Sequence, residues 1–217
     1  MTVKVKVYSD FVCPFCFLGK APLDEVIKEK DLEVEWIPFE LRPSPTPKID
    51  PWNEPDKLGA WNSFIAPAAK QLGVEMQLPR LSPHPYTHLA FEGCHFAKEH
   101  GKGTEFHNRV FSAFFQEEQN IEDIEVLTKL ADEVGLPKDD FKEALVTRKY
   151  KEVHEKALKH AYEEAQIRAV PTFVIGDEVI QGLASKERLE KAINQELEKS
   201  NGNDLEGLQC NTDGSCY

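Results

Sequence analysis

The chain begins with an alternating strand pattern that leads directly into a pair of cysteines. Val3, Val5 and Val7 alternate with lysines in "VKVKVY", and the chain continues as "SDFVCPFCF", with Cys13 and Cys16 three residues apart. The next stretch, "FLGKAPLDEVIKEK", has apolar residues at helical spacing, and "LEVEWIPFEL" alternates again. A strand, a helix and a second strand are therefore predicted, with the cysteine pair at the first strand-to-helix junction.

The remaining patterns predict a helical block and then a second set of strands. After the proline-rich connection "RPSPTPKIDPWNEP", residues 57–168 indicate helices and loops. "PTFVIG" and "EVIQG" flank Gly176-Asp177, which is a hairpin signal. "SKERLEKAINQELEK" predicts a final helix with Ser185 as its N-cap. The economical assembly is one sheet built from both ends of the chain, with the helices inserted between them.

The composition limits the cellular compartment and the classes of partner that we expect for this protein. Lysine and arginine total 26 against 38 acidic residues, and the net charge of −12 disfavours binding to nucleic acid and to anionic membranes. No apolar run approaches the ~20 residues of a membrane span, and the N-terminus lacks the apolar region of a secretory signal. We therefore expect a cytoplasmic protein. Five cysteines in such a protein indicate metal binding or redox chemistry.

The position of the cysteine pair predicts thiol chemistry. Cys13 precedes the first turn of a helix, where unpaired backbone N–H groups and the helix dipole favour a thiolate over a thiol. Pro14 suits the first helical position, because an N–H there would have no partner. Cys16 lies one turn along on the same side, close enough for a disulfide. The expected arrangement is an exposed, activated Cys13 and a recessed Cys16 that resolves the intermediate.

Two other interpretations of the pair are weaker. A zinc site needs two more ligands at suitable spacing, and the available cysteines, Cys210 and Cys216, are separated by five residues in the C-terminal tail. Burial of both sulfurs as small apolar groups is disfavoured, because the turn before a helix is usually exposed. We expect no metal at this pair and no bound cofactor, since thiols themselves carry the electrons.

The sequence resembles a known family over about residues 3–198. "SDFVCPFC" after a strand and "AVPTFVIG" opening a later strand are similar to thioredoxin-superfamily motifs, and the long helical insertion is similar to the DsbA branch. "FELRP", "FFQEEQNI" with "VLTKLADEVGL", and "VIQG" after "AVPTFVIG" resemble the cytoplasmic FrnE-like proteins, which are relatives of the 2-hydroxychromene-2-carboxylate isomerases. The resemblance implies an α/β thioredoxin fold with a large helical insertion between its βαβ and ββα halves.

The implied domain boundaries follow the same order. Residues 1–44 and 167–199 are expected to form the thioredoxin-like domain, and residues 45–166 the helical insertion domain. Residues 200–217 are expected to be a flexible tail with a second cysteine pair.

The resemblance also implies roles for single residues. Cys13 is expected to attack substrate disulfides and Cys16 to resolve the mixed disulfide. Pro171 is expected to be a cis-proline that faces the sulfurs, although an ordinary proline at the start of a strand is the alternative. Val170, just before it, is expected to pair its backbone with an extended segment of the substrate.

The implied activity is thiol–disulfide exchange with protein or small-molecule disulfides, with thioredoxin or a low-molecular-weight thiol as electron donor. Pro14 and Phe15, between the cysteines, are expected to contact substrate. Strongly oxidising members carry a histidine there, and Phe15 cannot donate a hydrogen bond to a Cys13 thiolate, so a weaker oxidant is expected. The isomerase relatives replace the first cysteine by serine and bind glutathione. A glutathione-dependent isomerase or transferase is therefore the alternative, and the presence of Cys13 weakens it.

Three features in the helical block have less specific explanations. His88, Glu92 and His95 form one stripe of a predicted helix, but no second helix carries a matching motif, and a solvated face is favoured over metal binding. Cys94, on the same helix, is expected to be a small buried residue. The phenylalanines of "RVFSAFF" are expected to lie in the core rather than in a peptide groove.

Cys210 and Cys216 leave two interpretations open. They are either two unused thiols in an unstructured tail or a second redox pair that exchanges with the first. The expected topology starts the tail at the end of the domain far from Cys13. Ten residues of flexible chain average roughly 17–19 Å end to end, so exchange would need a nearly extended tail or a second molecule.

Overall fold

One mixed four-stranded sheet, ordered β2-β1-β3-β4, organises the protein. The computed structural model describes residues 2–203. The strands are β1 (Val3–Ser9), β2 (Leu32–Pro38), β3 (Thr172–Ile175) and β4 (Glu178–Gln181). β1 is parallel to β2 and antiparallel to β3, and β3 is antiparallel to β4. The sheet is thus built from both ends of the chain, as the sequence predicted.

Helices fill the middle of the chain and flank the sheet. They are α1 (Pro14–Glu29), α2 (Pro55–Ala60), α3 (Ala66–Leu72), α4 (His88–Glu99), α5 (Gly103–Phe115), α6 (Ile124–Glu133), α7 (Lys138–Val146), α8 (Lys151–Lys159) and α9 (Lys186–Asn203). Two π-helical segments, Trp61–Ile65 and His160–Glu164, join α2 to α3 and extend α8. The position of α2 to α8 between β2 and β3 confirms the large helical insertion. None of the described helices combines the length and the apolar character of a membrane span.

Alternation along the strands produces the core between the sheet and helices α1 and α9. Val3, Val5 and Val7 are buried there with Phe173 and Ile175, because side chains two apart share one face of a strand. The turn between β3 and β4 lies at Gly176, whose φ of +55° is a conformation that glycine adopts without strain. The hairpin predicted at Gly176-Asp177 is therefore present.

A second, larger core belongs to the helical insertion and includes the segment just before the cysteines. Phe111, Phe114 and Phe115 are buried in it, which confirms that the phenylalanines of "RVFSAFF" are core residues. Phe11 lies 4.6 Å, ring centre to ring centre, from Phe91 of α4 and 5.1 Å from Phe111 of α5. The segment that leads into the cysteine pair is thus held by the insertion as well as by the sheet.

The orientation of α8 does not follow the apolar character of its residues. The apolar Val153 is 48% exposed, whereas the neighbouring His154 is only 2% exposed. The helix turns His154 inward because its imidazole pairs with the buried Glu40. A contact across more than a hundred residues therefore decides the orientation of α8.

Candidate active site

Cys13 is the N-cap residue of α1. Its backbone is extended (φ −87°, ψ 111°), and Pro14 follows at the start of the helix. The Cys13 carbonyl oxygen accepts hydrogen bonds from the N–H groups of Cys16 and Phe17, at 3.1 and 3.3 Å. Pro14 has no N–H to offer. Among the residues that the structure describes, the N–H of Phe15 is therefore the first-turn amide that remains available to stabilise a thiolate at the start of α1.

Both thiols of the pair are free and buried. Cys13 is 4% exposed and Cys16 is 2% exposed. The Cys13 sulfur lies 3.6 Å from the carbonyl oxygen of Val170, toward which its S–H points as donor. The prediction of an exposed Cys13 is therefore wrong, because the segment that leads into β3 covers the sulfur.

Pro171 lies against the first turns of α1. The Val170–Pro171 peptide bond is cis. A Cβ atom at Gly19 would lie 3.3 Å from Cγ of Pro171 and 3.3 Å from Cζ of Phe173. Glycine at position 19 therefore lets the start of β3 approach the helix closely, one turn beyond Cys16.

The two residues between the cysteines form the outer rim of the site. Pro14 is half-buried, whereas the ring of Phe15 is 37% exposed although it is large and apolar. An exposed aromatic ring beside a buried sulfur is suited to contact an apolar part of a substrate. The structure thus brings together Pro14, Phe15 and Val170 around the two cysteines, with Pro171 packed on the same helix.

Asp10 is a buried carboxyl group next to the cysteine pair that the sequence interpretation missed. It is 1% exposed. Its backbone carbonyl accepts a hydrogen bond from the Cys13 N–H at 3.1 Å, and its Oδ2 accepts one from the Leu41 N–H at 2.7 Å. Burial raises the pKa of Asp10 to about 7, although hydrogen bonds from Leu41 and Thr87 oppose the rise. An acid within an otherwise apolar strand-to-helix segment was the available signal.

The surroundings of Cys16 favour its protonated thiol over the thiolate. Burial raises the pKa of Cys16, and the adjacent Cys13 sulfur, to which the Cys16 thiol donates, raises it further. The charge of Asp10 acts in the same direction, whereas a hydrogen bond with the Asp10 backbone opposes the rise. Asp10, with a pKa of about 7, is therefore a candidate acceptor for the Cys16 proton.

A second buried acid lies behind Asp10. The Oε1 atom of Glu40 is 2.6 Å from Nε2 of His154, and the hydroxyl group of Tyr162 donates to the Glu40 carbonyl at 2.7 Å while accepting from its N–H at 3.1 Å. Burial raises the pKa of Glu40 to about 7 and lowers the pKa of His154 to about 4. The negative charge of Glu40 also contributes to the raised pKa of Asp10, so the two acids titrate as neighbours.

The stripe on α4 packs inward rather than facing solvent, since Glu92 is buried and His88 and His95 are half-buried. Glu92 is fully buried and forms a bidentate pair with Arg148, with Oε1 2.6 Å from Nη2 and 3.0 Å from Nε. Burial lowers the pKa of His95 to about 4. The prediction of a solvated face is wrong, because α4 packs against α5, α7 and α8. Cys94 is partly buried against the helical core, and burial raises the pKa of its thiol.

Two further expectations concern metal and the tail. Among the described residues, no group of three or more His, Cys, Asp or Glu side chains is arranged to hold a metal ion. Cys210 and Cys216 lie outside the described residues, so their relation to Cys13 stays a prediction.

The family of the protein follows from comparison with known sequences. Residues 4–194 match the model of the DsbA-like thioredoxin domain. The chain belongs to this DsbA-like family. A Bacillus subtilis (strain 168) relative, the uncharacterised protein YwbO, is 64% identical over 199 residues, which cover 92% of the DsbA-like chain and all of that protein.

Solved structures show the same fold at low sequence identity. A protein described as a probable DsbA oxidoreductase from Streptomyces coelicolor superposes on the DsbA-like chain with a TM-score of 0.77 and 21% identity, covering 99% of this chain and 98% of that one. A 2-hydroxychromene-2-carboxylate isomerase superposes with a TM-score of 0.73 and 20% identity, and the match covers 92% of this chain and 98% of that one. The cytosolic disulfide reductase DsbM from Pseudomonas aeruginosa, in a structure with glutathione, gives 0.64 and 17%, covering 94% and 100%. These similarities confirm the thioredoxin-type fold.

Proposed function

We propose that this DsbA-like protein is a thiol–disulfide oxidoreductase that acts on protein or low-molecular-weight disulfides through Cys13 and Cys16. The observation that carries the proposal is the arrangement of two free thiols at the start of α1, one at the N-cap and one a turn later. Membership of the DsbA-like family supports the same chemistry. The thiols carry the electrons, so the reaction requires no bound cofactor.

In the reducing direction, the Cys13 thiolate attacks one sulfur of the substrate disulfide. A bond forms between Cys13 and that sulfur, the substrate S–S bond breaks, and the second substrate sulfur leaves as a thiolate that takes up a proton. Cys16 then loses its proton and attacks the Cys13 sulfur. The products are a Cys13–Cys16 disulfide and a substrate dithiol, so two electrons pass from the pair to the substrate. Oxidation of a substrate is the same sequence in reverse.

Asp10 is the proposed proton acceptor for Cys16. Its pKa of about 7 gives it a substantial unprotonated fraction at neutral pH, while the burial of Cys16 keeps that thiol protonated. Proton transfer to Asp10 creates the Cys16 thiolate at the moment of resolution. The proton released by Cys16 would be shared between the carboxyl groups of Asp10 and Glu40.

The substrate contacts are proposed from the surroundings of Cys13. The backbone of Val170 would pair with an extended substrate segment, Pro171 would limit access to the sulfurs from the β3 side, and Pro14 with Phe15 would contact substrate at the rim. A low-molecular-weight thiol or thioredoxin would return electrons to the pair. A cytoplasmic location is part of the proposal, because the structurally similar DsbM is described as a cytosolic disulfide reductase.

Trapping of the mixed disulfide tests the proposal. The Cys16→Ser variant, with Cys94, Cys210 and Cys216 also replaced by serine, is expected to accumulate a disulfide between Cys13 and insulin, whereas the matched variant with Cys13→Ser accumulates none. Mass spectrometry of the tryptic peptides identifies the linked sulfur. A protein that forms no mixed disulfide but binds one equivalent of glutathione would instead be a glutathione-dependent isomerase or transferase.

A further inference from the structure

A cavity of about 570 Å³ lies along β2, apart from the cysteine pair. Its walls come from β2, Lys6 of β1, α4, α5 and the end of α8, and none of Cys13, Cys16, Val170 or Pro171 lines it. The volume falls in the range of roughly 300–1,000 Å³ typical of ligand sites. The cavity is therefore a candidate ligand site that is separate from the cysteine pair.

The cavity follows the backbone edge of β2. Six consecutive residues, 33–38, line it. Successive side chains of a strand point to opposite faces, so a cavity over one face of the sheet would contact only alternate residues. β2 is also an edge strand in the order β2-β1-β3-β4. Contact with six of the seven residues of β2, and with Lys6 on the neighbouring β1, indicates that the cavity follows this edge of the sheet and reaches over it onto one face.

Hydrogen-bonding groups of the strand point into this space. The Phe39 N–H donates to the Ser9 carbonyl at 3.0 Å, so by alternation the backbone groups of Val34 and Trp36 point away from β1. Apart from the pairing of β2 with β1, no described residue accepts a backbone hydrogen bond from either of these N–H groups. Pro38 occupies another outward position, where a missing N–H removes no bond of the sheet.

Side chains in the same cavity also lack partners. The indole Nε1 of Trp36 and the Nε2 of His95 are buried, and no described residue forms a hydrogen bond with either atom. The indole ring is held in place by stacking on His107, at 4.0 Å between ring centres. At the rim, Lys98 pairs with Glu35 at 2.8 Å, so positive and negative charges are interspersed. The cavity thus offers oriented polar groups without a strong field of one sign.

We propose that this cavity, the β2 groove, binds an extended segment of a polypeptide substrate, which adds to the sheet beside β2. The inference rests on the proposed function, which supplies polypeptides as substrates. An extended backbone presents N–H and C=O groups in the alternating pattern that Val34 and Trp36 require. The apolar walls formed by Val34, Ile37 and Phe91 would receive substrate side chains. The groove would hold a protein substrate while its disulfide reaches Cys13.

A tryptophan placed in the groove tests its role in substrate binding. Thr104 is an exposed residue on the groove wall, so Thr104→Trp fills the space without disturbing the core. Lys129→Trp on α6, 67% exposed and outside the groove, is the matched control. We expect Thr104→Trp to raise the KM for insulin about tenfold with little change in kcat. Kinetics with bis(2-hydroxyethyl) disulfide should stay unchanged, and Lys129→Trp should match the parent with both substrates.

Amide exchange tests the same groove without catalysis. In the Cys13→Ser/Cys16→Ser protein, reduced and carboxymethylated insulin B chain is expected to slow hydrogen exchange at the Val34 and Trp36 amides, and Thr104→Trp is expected to abolish the effect. If this protection is seen but the parent protein turns over no disulfide, the proposed function is refuted and the groove is still a peptide-binding site. Active protein with equal KM values and no protection would refute the groove alone. A different outcome is protection of the Val34 and Trp36 amides when no insulin B chain is added. If that protection requires residues 204–217, the tail occupies the groove, and if it grows with protein concentration, a second copy does; either result would overturn the proposal.

Discussion

The sulfur of Cys13 lies 3.6 Å from the carbonyl oxygen of Val170, which is 157 residues later in the chain. This contact joins the start of α1 to the segment that leads into β3. The same carbonyl group is the one proposed to pair with a substrate backbone. Loss of the Cys13 proton removes the S–H donor, so the thiolate form frees this carbonyl oxygen for a substrate N–H. The contact thereby couples activation of the sulfur to exposure of the proposed substrate-binding edge.

The burial of Asp10 predicts a pH-dependent stability. The folded pKa of about 7 exceeds the ordinary unfolded value of about 3.9, so the folded state binds more protons between these values. Its stabilising contribution is complete below about pH 4 and is lost as the pH rises through about 7. Relative to Asp10→Asn, the free energy of unfolding of the parent should therefore fall by on the order of 2–4 kcal/mol from pH 4 to pH 8. Urea unfolding at a series of pH values measures it, and parallel profiles would contradict a raised pKa at Asp10.

The close approach at Gly19 predicts a site that tolerates no side chain there. Gly19→Val would push Pro171 and Phe173 away from α1, because even a Cβ atom lies 3.3 Å from each. We expect insulin reduction to slow by about tenfold or more. Gly59→Val is the matched control, since Gly59 lies in α2 with no atom within 4 Å of an added Cβ. Equal activity of the two variants at 25 °C would show that the packing of Pro171 on α1 does not matter for exchange.

The local patterns of the sequence were sufficient for the elements and for the position of the pair. Val3, Val5 and Val7 alternate because one face of β1 is buried, and the hairpin at Gly176 needs the φ that glycine provides. These features depend on neighbours in sequence, and simple periodicity therefore predicts them.

The burial of the polar and reactive groups depends on distant contacts instead. Cys13 is covered by a carbonyl group 157 residues away. Glu92 is buried because Arg148 neutralises it from 56 residues away, and His154 faces inward because of Glu40. None of these pairs leaves a periodic signal in the chain. Asp10 itself is visible in the sequence as an acid within an apolar segment, but its burial and its hydrogen bond from Leu41 depend on distant contacts that the sequence alone does not predict.

The tail cysteines predict a second exchange step. If Cys210 and Cys216 exchange with the first pair, Cys210→Ser/Cys216→Ser should change the turnover number or the redox state on isolation without lowering the melting temperature. In a Cys16→Ser background, a disulfide between a tail cysteine and Cys13 should be trapped. A rate of formation independent of dilution indicates an intramolecular link, and a concentration-dependent rate an intermolecular one. Cys94→Ser is the control for loss of a thiol. Unchanged turnover and redox state with no trapped disulfide would show that the tail thiols are idle.

The reduction potential of the Cys13–Cys16 couple tests the central claim most directly. The measurement uses protein with Cys94, Cys210 and Cys216 replaced by serine, equilibrated in glutathione redox buffers, with the thiol state read by alkylation and mass spectrometry. We expect one two-electron transition between the dithiol and a Cys13–Cys16 disulfide. Because Phe15 supplies no hydrogen bond to the Cys13 thiolate, the potential should be more negative than the value of about −120 mV for the strong oxidant DsbA. A pair that forms no intramolecular disulfide at any buffer ratio, or that stops at glutathione bound to Cys13, would contradict the assignment.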